Sequence, residues 1–157
     1  MKTREELFWA KVNKTEDCWL WTAATDKHGY GMFWTGAKMR LAHRVSVEMV
    51  TGAAPTEHLD HVCHVPACIN PGHLREVSRK QNMENRLGAQ VTNKTGFRGV
   101  SIHKTSGLWQ AKVGHNGKQI HLGYFKDPAE AGEAARAKRL ELFTHNEVDR
   151  ANLPKSA

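Results

Sequence analysis

A chain of 157 residues has room for one ordinary domain or two small ones. Only 39% of it is hydrophobic, so neither half can own a large core, and a staple such as a metal, disulfides or a partner chain is expected. The net charge of +7 favours a polyanionic partner. No window approaches the roughly 18–20 apolar residues of a membrane span, and Met1-Lys2-Thr3-Arg4-Glu5-Glu6 lacks the apolar stretch of a secretory signal. The chain therefore reads as soluble, intracellular and bound to nucleic acid rather than to a membrane.

In chain order, Arg4 to Val12 predicts a short helix with Leu7, Phe8 and Val12 on its apolar side. Cys18 to Thr22 predicts a strand, Asp26 to Gly29 a turn, and Tyr30 to Trp34 the returning strand. Ala42 to Thr51 is helical in pattern and stops at Gly52. Leu59 to Cys63 reads as a short strand before a loop, 64–72, broken by Pro66, Pro71 and Gly72. Ser78 suits the N-cap of a helix running to about Leu87. The polar, Gly-punctuated run from Leu87 to Gly96 reads as a linker. Beyond it, Phe97 to His103, Trp109 to Val113 and Lys118 to Leu122 predict three strands, the last two joined at an Asn116-Gly117 hairpin turn. Asp127-Pro128 opens an Ala-rich helix to about Phe143. Its charges, Glu130, Glu133, Arg136, Lys138, Arg139 and Glu141, alternate as on a solvated face. The expected class is α+β: residues 1–87, a linker over 88–96, and a three-stranded antiparallel sheet covered by one helix over 97–153.

Three cysteines are an odd number, which argues against a closed disulfide framework and for metal ligation. Cys63, Cys68 and His73 fall in an eleven-residue window bent by prolines and glycine, which suits a structural zinc. Cys18 is the natural fourth ligand, and His58 and His64 are weaker candidates. His61 does not fit that set. A neutral imidazole can take a proton from water. Strand alternation would place His61 on the face of Cys63, with Asp60 opposite, unless the strand ends there. Asp60 and Asn82 are hard oxygen donors suited to Mg²⁺ or Mn²⁺.

Cys18, Asp60-His61-x-Cys63, Cys68, Asn70-Pro71-x-His73-Leu74 and Asn82 together resemble the HNH nucleases of the ββα-metal class, most closely the zinc-stapled His-Cys-box homing endonucleases and related phage proteins. The resemblance covers about residues 16–87. It implies that His61 is the general base that activates water, that Asn82 holds the catalytic divalent ion with Asp60 as a further ligand, and that Asn70 orders the loop. It implies a structural zinc on Cys18, Cys63, Cys68 and His73. Asn85, one helical turn beyond Asn82, competes for the catalytic ion. A further cation is expected near the cleaved phosphate, with Arg40, Arg44 and Lys38 as candidates.

Phe97-Arg98-Gly99-Val100, Trp109-Gln110-Ala111-Lys112-Val113, His121-Leu122-Gly123-Tyr124-Phe125, the run Ala129 to Ala135, and Asn152 resemble an AP2/ERF DNA-binding domain over about residues 94–153. That resemblance implies a sheet lying in the major groove, with Arg98, Trp109, Lys112, Lys118, Gln119 and His121 as DNA contacts. Ser101, His103 and His121 depart from the family pattern, so base preference does not carry over.

The expected function is a site-directed DNA endonuclease of phage or mobile-element type, acting on double-stranded DNA in the cytoplasm of an infected or bacterial host cell. The N-terminal segment would cut and the C-terminal segment would supply affinity; a homodimer is one way for a single site to cut both strands. The competing class is a non-catalytic DNA-binding regulator built from the same modules, and a third is a nuclease acting on RNA.

Overall fold

Helix α1 (Arg4–Trp9) of the computed structural model begins where the sequence supplies a capping box. Thr3 Oγ1 accepts from the Glu6 N–H at 3.1 Å, and the Glu6 carboxylate accepts from the Thr3 N–H at 2.7 Å. The structure describes residues 2–86, 88–89 and 93–151. Leu87, three positions of the expected linker (90–92) and Asn152 lie outside the described residues. The chain divides into two compact units, residues 1–82 and 83–157.

In the first unit α1 stops three residues short of its expected end. Val12 instead opens β1 (Val12–Lys14), which pairs antiparallel with β2 (Trp19–Trp21), Val12 opposite Trp21. The Thr15 hydroxyl closes this hairpin, donating to the Cys18 carbonyl at 2.7 Å and accepting from the Cys18 N–H at 3.1 Å. The expected pairing of Cys18–Thr22 with Tyr30–Trp34 does not form. Trp21 Nε1 and the Met32 N–H both donate to the Ala24 carbonyl, and Asp26 accepts from the His28 and Tyr30 amides, so the connection closes on itself. The second strand of that pair becomes β3 (Met32–Trp34), which pairs with a strand the sequence reading lacked, β4 (Met39–Leu41). Helix α2 (Ala42–Thr51) follows and ends at Gly52 as expected.

Phe8, Trp21, Phe33, Ala42, Val45 and Ile69 form the buried centre of this unit. Phe8 holds it together, with ring centroids 5.0 Å from Phe33 and 5.1 Å from Trp21. Such aromatic pairs contribute about 0.5–1.5 kcal/mol each beyond area burial, which matters in so small a core. Past it, β5 (His58–His61) and β6 (Leu74–Val77) form an antiparallel hairpin in which Asp60 faces Arg75 and His61 faces Leu74. Helix α3 (Arg79–Glu84) then begins at a second capping box, with Ser78 and Gln81 exchanging backbone-to-side-chain bonds at 2.8 and 3.3 Å.

In the second unit, β7 (Val100–Ile102), β8 (Trp109–His115) and β9 (Lys118–Phe125) form one antiparallel sheet in sequence order. Helix α4 (Pro128–Leu142) covers one face and α5 (Glu147–Ala151) follows. Val100, Ala111, Val113, Ala131, Ala135 and Phe143 make the core. Gly132 lets the helix sit close: a Cβ there would lie 2.5 Å from Phe97 Cδ1. A register shift between Ala111 and Lys112 is absorbed at Gly123, whose φ of 129° suits glycine. Simple alternation would put His121 and Tyr124 on opposite faces; the bulge brings their rings to 4.8 Å.

The end of α3 is built into the second unit. The Glu84 carboxylate accepts from the Thr144 amide and hydroxyl and the His145 amide, and Asn85 Oδ1 accepts from the Glu147 N–H at 3.1 Å. Arg98 donates to the carbonyls of Met83, Glu84 and Arg86, as a cation capping a helix C-terminus does.

Arg139 corrects the expectation of a wholly solvated α4 charge face. It is buried, and its guanidinium forks onto Asp149 at 2.6 and 2.9 Å while donating to the Arg98 carbonyl at 2.8 Å. Asn146, fully enclosed, adds a 2.7 Å bond to the same carboxylate. Burial alone would raise the Asp149 carboxyl, but Arg139 and Asn146 hold it below its usual value. Its stabilising contribution is complete above the unfolded carboxyl value of about 4 and is lost as pH falls through the lower folded value. Arg139→Ala is expected to cost this unit about 3–5 kcal/mol in urea unfolding at pH 7, because it leaves a buried carboxylate unpaired. The difference between variant and parent should shrink progressively as pH is lowered below the unfolded carboxyl value.

Candidate functional site

Four side chains from distant positions converge in the first unit. Cys18 Sγ, Cys63 Sγ, Cys68 Sγ and a His73 ring nitrogen all lie within 4.8 Å of one another. Cys18 Sγ and Cys68 Sγ each stand 3.6 Å from His73 Nδ1. Tetrahedral zinc, with bonds of about 2.3 Å to sulfur and 2.05 Å to nitrogen, separates such atoms by about 3.6 Å. The three cysteines are free thiols. Burial, then the neighbouring Cys68 and Cys63, push the Cys18 thiol up to about 12, and burial likewise raises Cys63. Thiols crowded like this repel one another as thiolates, and a cation at their centre reverses that sign. The donor set fits a closed structural metal site.

Local structure explains the convergence. The Thr15 turn places Cys18 at the entrance of β2. Strand β5 ends at His61, so Cys63 lies in the following turn and escapes the alternation expected to align it with His61. Cys68 is tied to β2 by a bridge to Leu20, flanked by Trp21 N–H to Ala67 O at 2.9 Å and Ile69 N–H to Trp19 O at 2.8 Å. His73 closes a short 3₁₀ turn (Pro71–His73) capped by Asn70, whose Oδ1 accepts from the Gly72 N–H and whose Nδ2 donates to the Asp17 carbonyl, both at 3.0 Å. His58 and His64, the weaker ligand candidates, are not in the cluster.

His61 lies at the end of β5, 7% exposed, with its Nε2 2.9 Å from the Cys68 carbonyl. A carbonyl can only accept, so Nε2 carries the proton and Nδ1 carries the lone pair. Burial lowers the His61 pKa, partly offset by the Cys68 carbonyl and Asp60, which keeps the ring neutral near pH 7. Two rings pack against it: His43 of α2, with centroids 5.0 Å apart, and Tyr30 at 5.7 Å. Asp60, equally buried, accepts from Arg75 Nε at 3.1 Å and Nη2 at 2.9 Å.

The remaining expected residues separate. The Arg40 guanidinium pairs with Glu48, and that of Arg44 donates to the carbonyls of Glu57 and Pro55. Lys38 is exposed in the β3–β4 turn. Asn82 is half-buried in α3, whereas Asn85 is buried with its carbonyl oxygen engaged by Glu147. In the second unit Lys118, Gln119 and His121 are exposed and Lys112 is half-buried, with Lys112 paired to His121 across the strands. Arg98 faces the carbonyls at the end of α3, and Trp109 packs against the α4-side core, so neither presents its side chain as the reading of exposed contacts expected.

Sequence reasoning missed Tyr30, His43 and Arg75. The opposition of Arg75 to Asp60 is visible only once β6 and its register are known. His43 carried no spacing signal, since it approaches His61 from a helix eighteen positions upstream.

Cys68→Ser is expected to lower bound metal from one ion per chain to well below half, measured by elemental analysis after gel filtration. The same change should abolish cooperative melting of the first unit, because metal-binding energy in a small domain is folding energy. A fully metallated, cooperatively melting variant would contradict that assignment.

Residues 40–84, which hold Asp60, His61, Cys63, Cys68, His73 and Asn82, match the family described as HNH endonuclease. The chain is also similar to Protein 2.8 of Escherichia phage T7, at 32% identity over 96 residues. That alignment covers 60% of this chain and 66% of the phage protein, just under two thirds of its length. No solved structure matches. By these matches the segment around His61 is similar to the HNH endonucleases, and no helix among the described residues is long and apolar enough to cross a membrane.

Proposed function

We propose that this chain is a metal-dependent DNA endonuclease in which His61 is the general base. The observation that carries the reading is the His61 Nε2–H bond to the Cys68 carbonyl at 2.9 Å. It leaves Nδ1 as the basic nitrogen of a buried, neutral imidazole, which can take the proton from water as that water attacks phosphorus. The Cys18, Cys63, Cys68 and His73 set would hold a structural zinc, which would fix the loop carrying that carbonyl.

Asp60 and Asn82 are the residues that would hold Mg²⁺ or Mn²⁺, oxygen donors suited to a hard cation. Such an ion, when bound, neutralises charge on the scissile phosphate and the leaving oxygen. Arg75 already holds Asp60 Oδ2, so the carboxylate is shared with a guanidinium. That position makes Arg75 a better candidate for the additional cation than Arg40 or Arg44, whose guanidinium groups are engaged elsewhere.

The second unit, read as AP2/ERF-like, supplies DNA affinity through the sheet face turned away from α4. Lys112, Gln119 and His121 are its contacts, joined by Ser101 and Tyr124 through the register β7–β8–β9, whereas Lys118, opposite His115, falls on the other face. A small cleavage unit makes mostly phosphate contacts, so a separate reader makes physical sense. The biological setting that fits is a free-standing homing-type enzyme of a phage or mobile element, acting in the cytoplasm of its host and cutting both strands as a homodimer or by successive nicks. The regulator reading is disfavoured because a zinc staple needs neither a buried base with a preset tautomer nor an Asp60–Arg75 pair.

His61→Ala should slow plasmid nicking in Mg²⁺ by at least about 100-fold while leaving DNA affinity within twofold, and EDTA should stop the parent. Nicking by the variant at the parental rate would refute the base assignment. Lys112→Ala should weaken DNA binding across sequences and reduce the slope of log K against log salt by about one. An unchanged slope would remove Lys112 from the interface.

A further inference from the structure

His43 is an unusual occupant of its position. It lies in the first turn of α2, 5% exposed, in the company of Tyr30 and His61, with ring centroids 5.6 and 5.0 Å away. Its Nδ1 is enclosed and has no hydrogen-bond partner among the described residues. A phenylalanine would fill the same space without that defect; a buried polar atom left unpaired costs about 1–3 kcal/mol. Packing therefore does not explain why the residue is histidine.

The chemistry of the ring narrows what it can do. Burial, reinforced by His61 and Arg44, lowers the His43 pKa to about 3, so the ring is neutral whenever His61 can act. An enclosed lone pair without a partner is tolerated far better than an enclosed N–H without one. The proton of His43 therefore sits on Nε2. Two neutral imidazoles thus stand edge to face with complementary roles: His61 has an accepting Nδ1, and His43 has a donating Nε2–H.

We infer that His43 is a second histidine of the cleavage site, a neutral hydrogen-bond donor that contacts a non-bridging oxygen of the scissile phosphate beside the water activated by His61. The inference rests on the nuclease reading of His61. No bond to His43 forms or breaks in the reaction; its Nε2–H stabilises negative charge growing on the phosphate oxygens, which calls for a donor already in place. The ring also limits the orientations open to His61, which Tyr30 borders on another side.

The test uses the full chain and four readouts: metal content, melting temperature, nicking kinetics and imidazole ¹⁵N spectra. His43→Phe should keep its metal and melt at or above the parental temperature, since an unpaired nitrogen has been removed, yet lower kcat for plasmid nicking by 10- to 100-fold with KM within twofold. His43→Gln, which restores an N–H donor, should recover a substantial part of that loss. A His43→Phe protein that nicks within twofold of the parent, or one whose kcat falls only together with its stability, overturns the inference. Imidazole ¹⁵N spectra with a duplex oligonucleotide and Ca²⁺ in place of Mg²⁺ separate this outcome from failure of the nuclease reading. DNA should move the His43 Nε2 resonance even if the parent fails to cut, and a resonance that stays put overturns the contact whatever the activity.

Discussion

Cys68 carries the constraint on which the first unit depends. Its thiol belongs to the four-ligand cluster, its neighbours are hydrogen-bonded to β2, and its carbonyl orients His61. One residue therefore contributes both to the four-ligand cluster and to the tautomer of His61, the base we propose. A metal bound at the cluster would tie down the loop from 62 to 73 and with it the carbonyl that defines the His61 tautomer. The candidate metal cluster and the orientation of His61 thus meet at one backbone position.

The two units solve the same problem of a small core by different means. The first centres on Phe8, Trp21 and Phe33 and adds a four-ligand cluster that fits a metal. The second buries mainly alanines and valines under α4 and adds the Arg139–Asp149–Asn146 network. A metal cluster draws on ligands far apart in sequence and supplies folding energy directly. A buried ion pair supplies less net stability, because desolvation offsets much of the attraction, but it penalises any packing that separates the partners. Arg139 also holds the Arg98 carbonyl, and the Arg98 side chain caps the end of α3, so a short polar chain organises that part of the second unit.

Much of the candidate site was legible in the amino-acid order because the residues of its metal-ligand cluster are chemically rare and tightly spaced. Cys63, Cys68 and His73 announced a metal loop, and the only remaining cysteine, Cys18, completed it. Helix α2, the start of α3, the Asn116-Gly117 hairpin and α4 were legible from caps, turn residues and periodicity. Three-residue strands were not: β1 and β4 are too short to show alternation, and β6 follows a 3₁₀ turn with no punctuation of its own. Without β6 the opposition of Arg75 and Asp60 is invisible, and Arg40 and Arg44 stand nearer in sequence to the predicted helix α2. On the sheet, the bulge at Gly123 shifts the face pattern by one residue, and Trp109 follows core burial rather than its aromatic suitability for DNA.

We propose that one metal, bound by three thiolates and one imidazole, holds the loop that orients His61. X-ray absorption at the zinc edge of the purified protein reads that coordination. One zinc per chain is expected, with a first shell of three sulfurs at about 2.3 Å and one nitrogen at about 2.0–2.1 Å. A first shell made only of oxygen and nitrogen, or one with fewer than three sulfurs, would rule out the four-ligand cluster as its site.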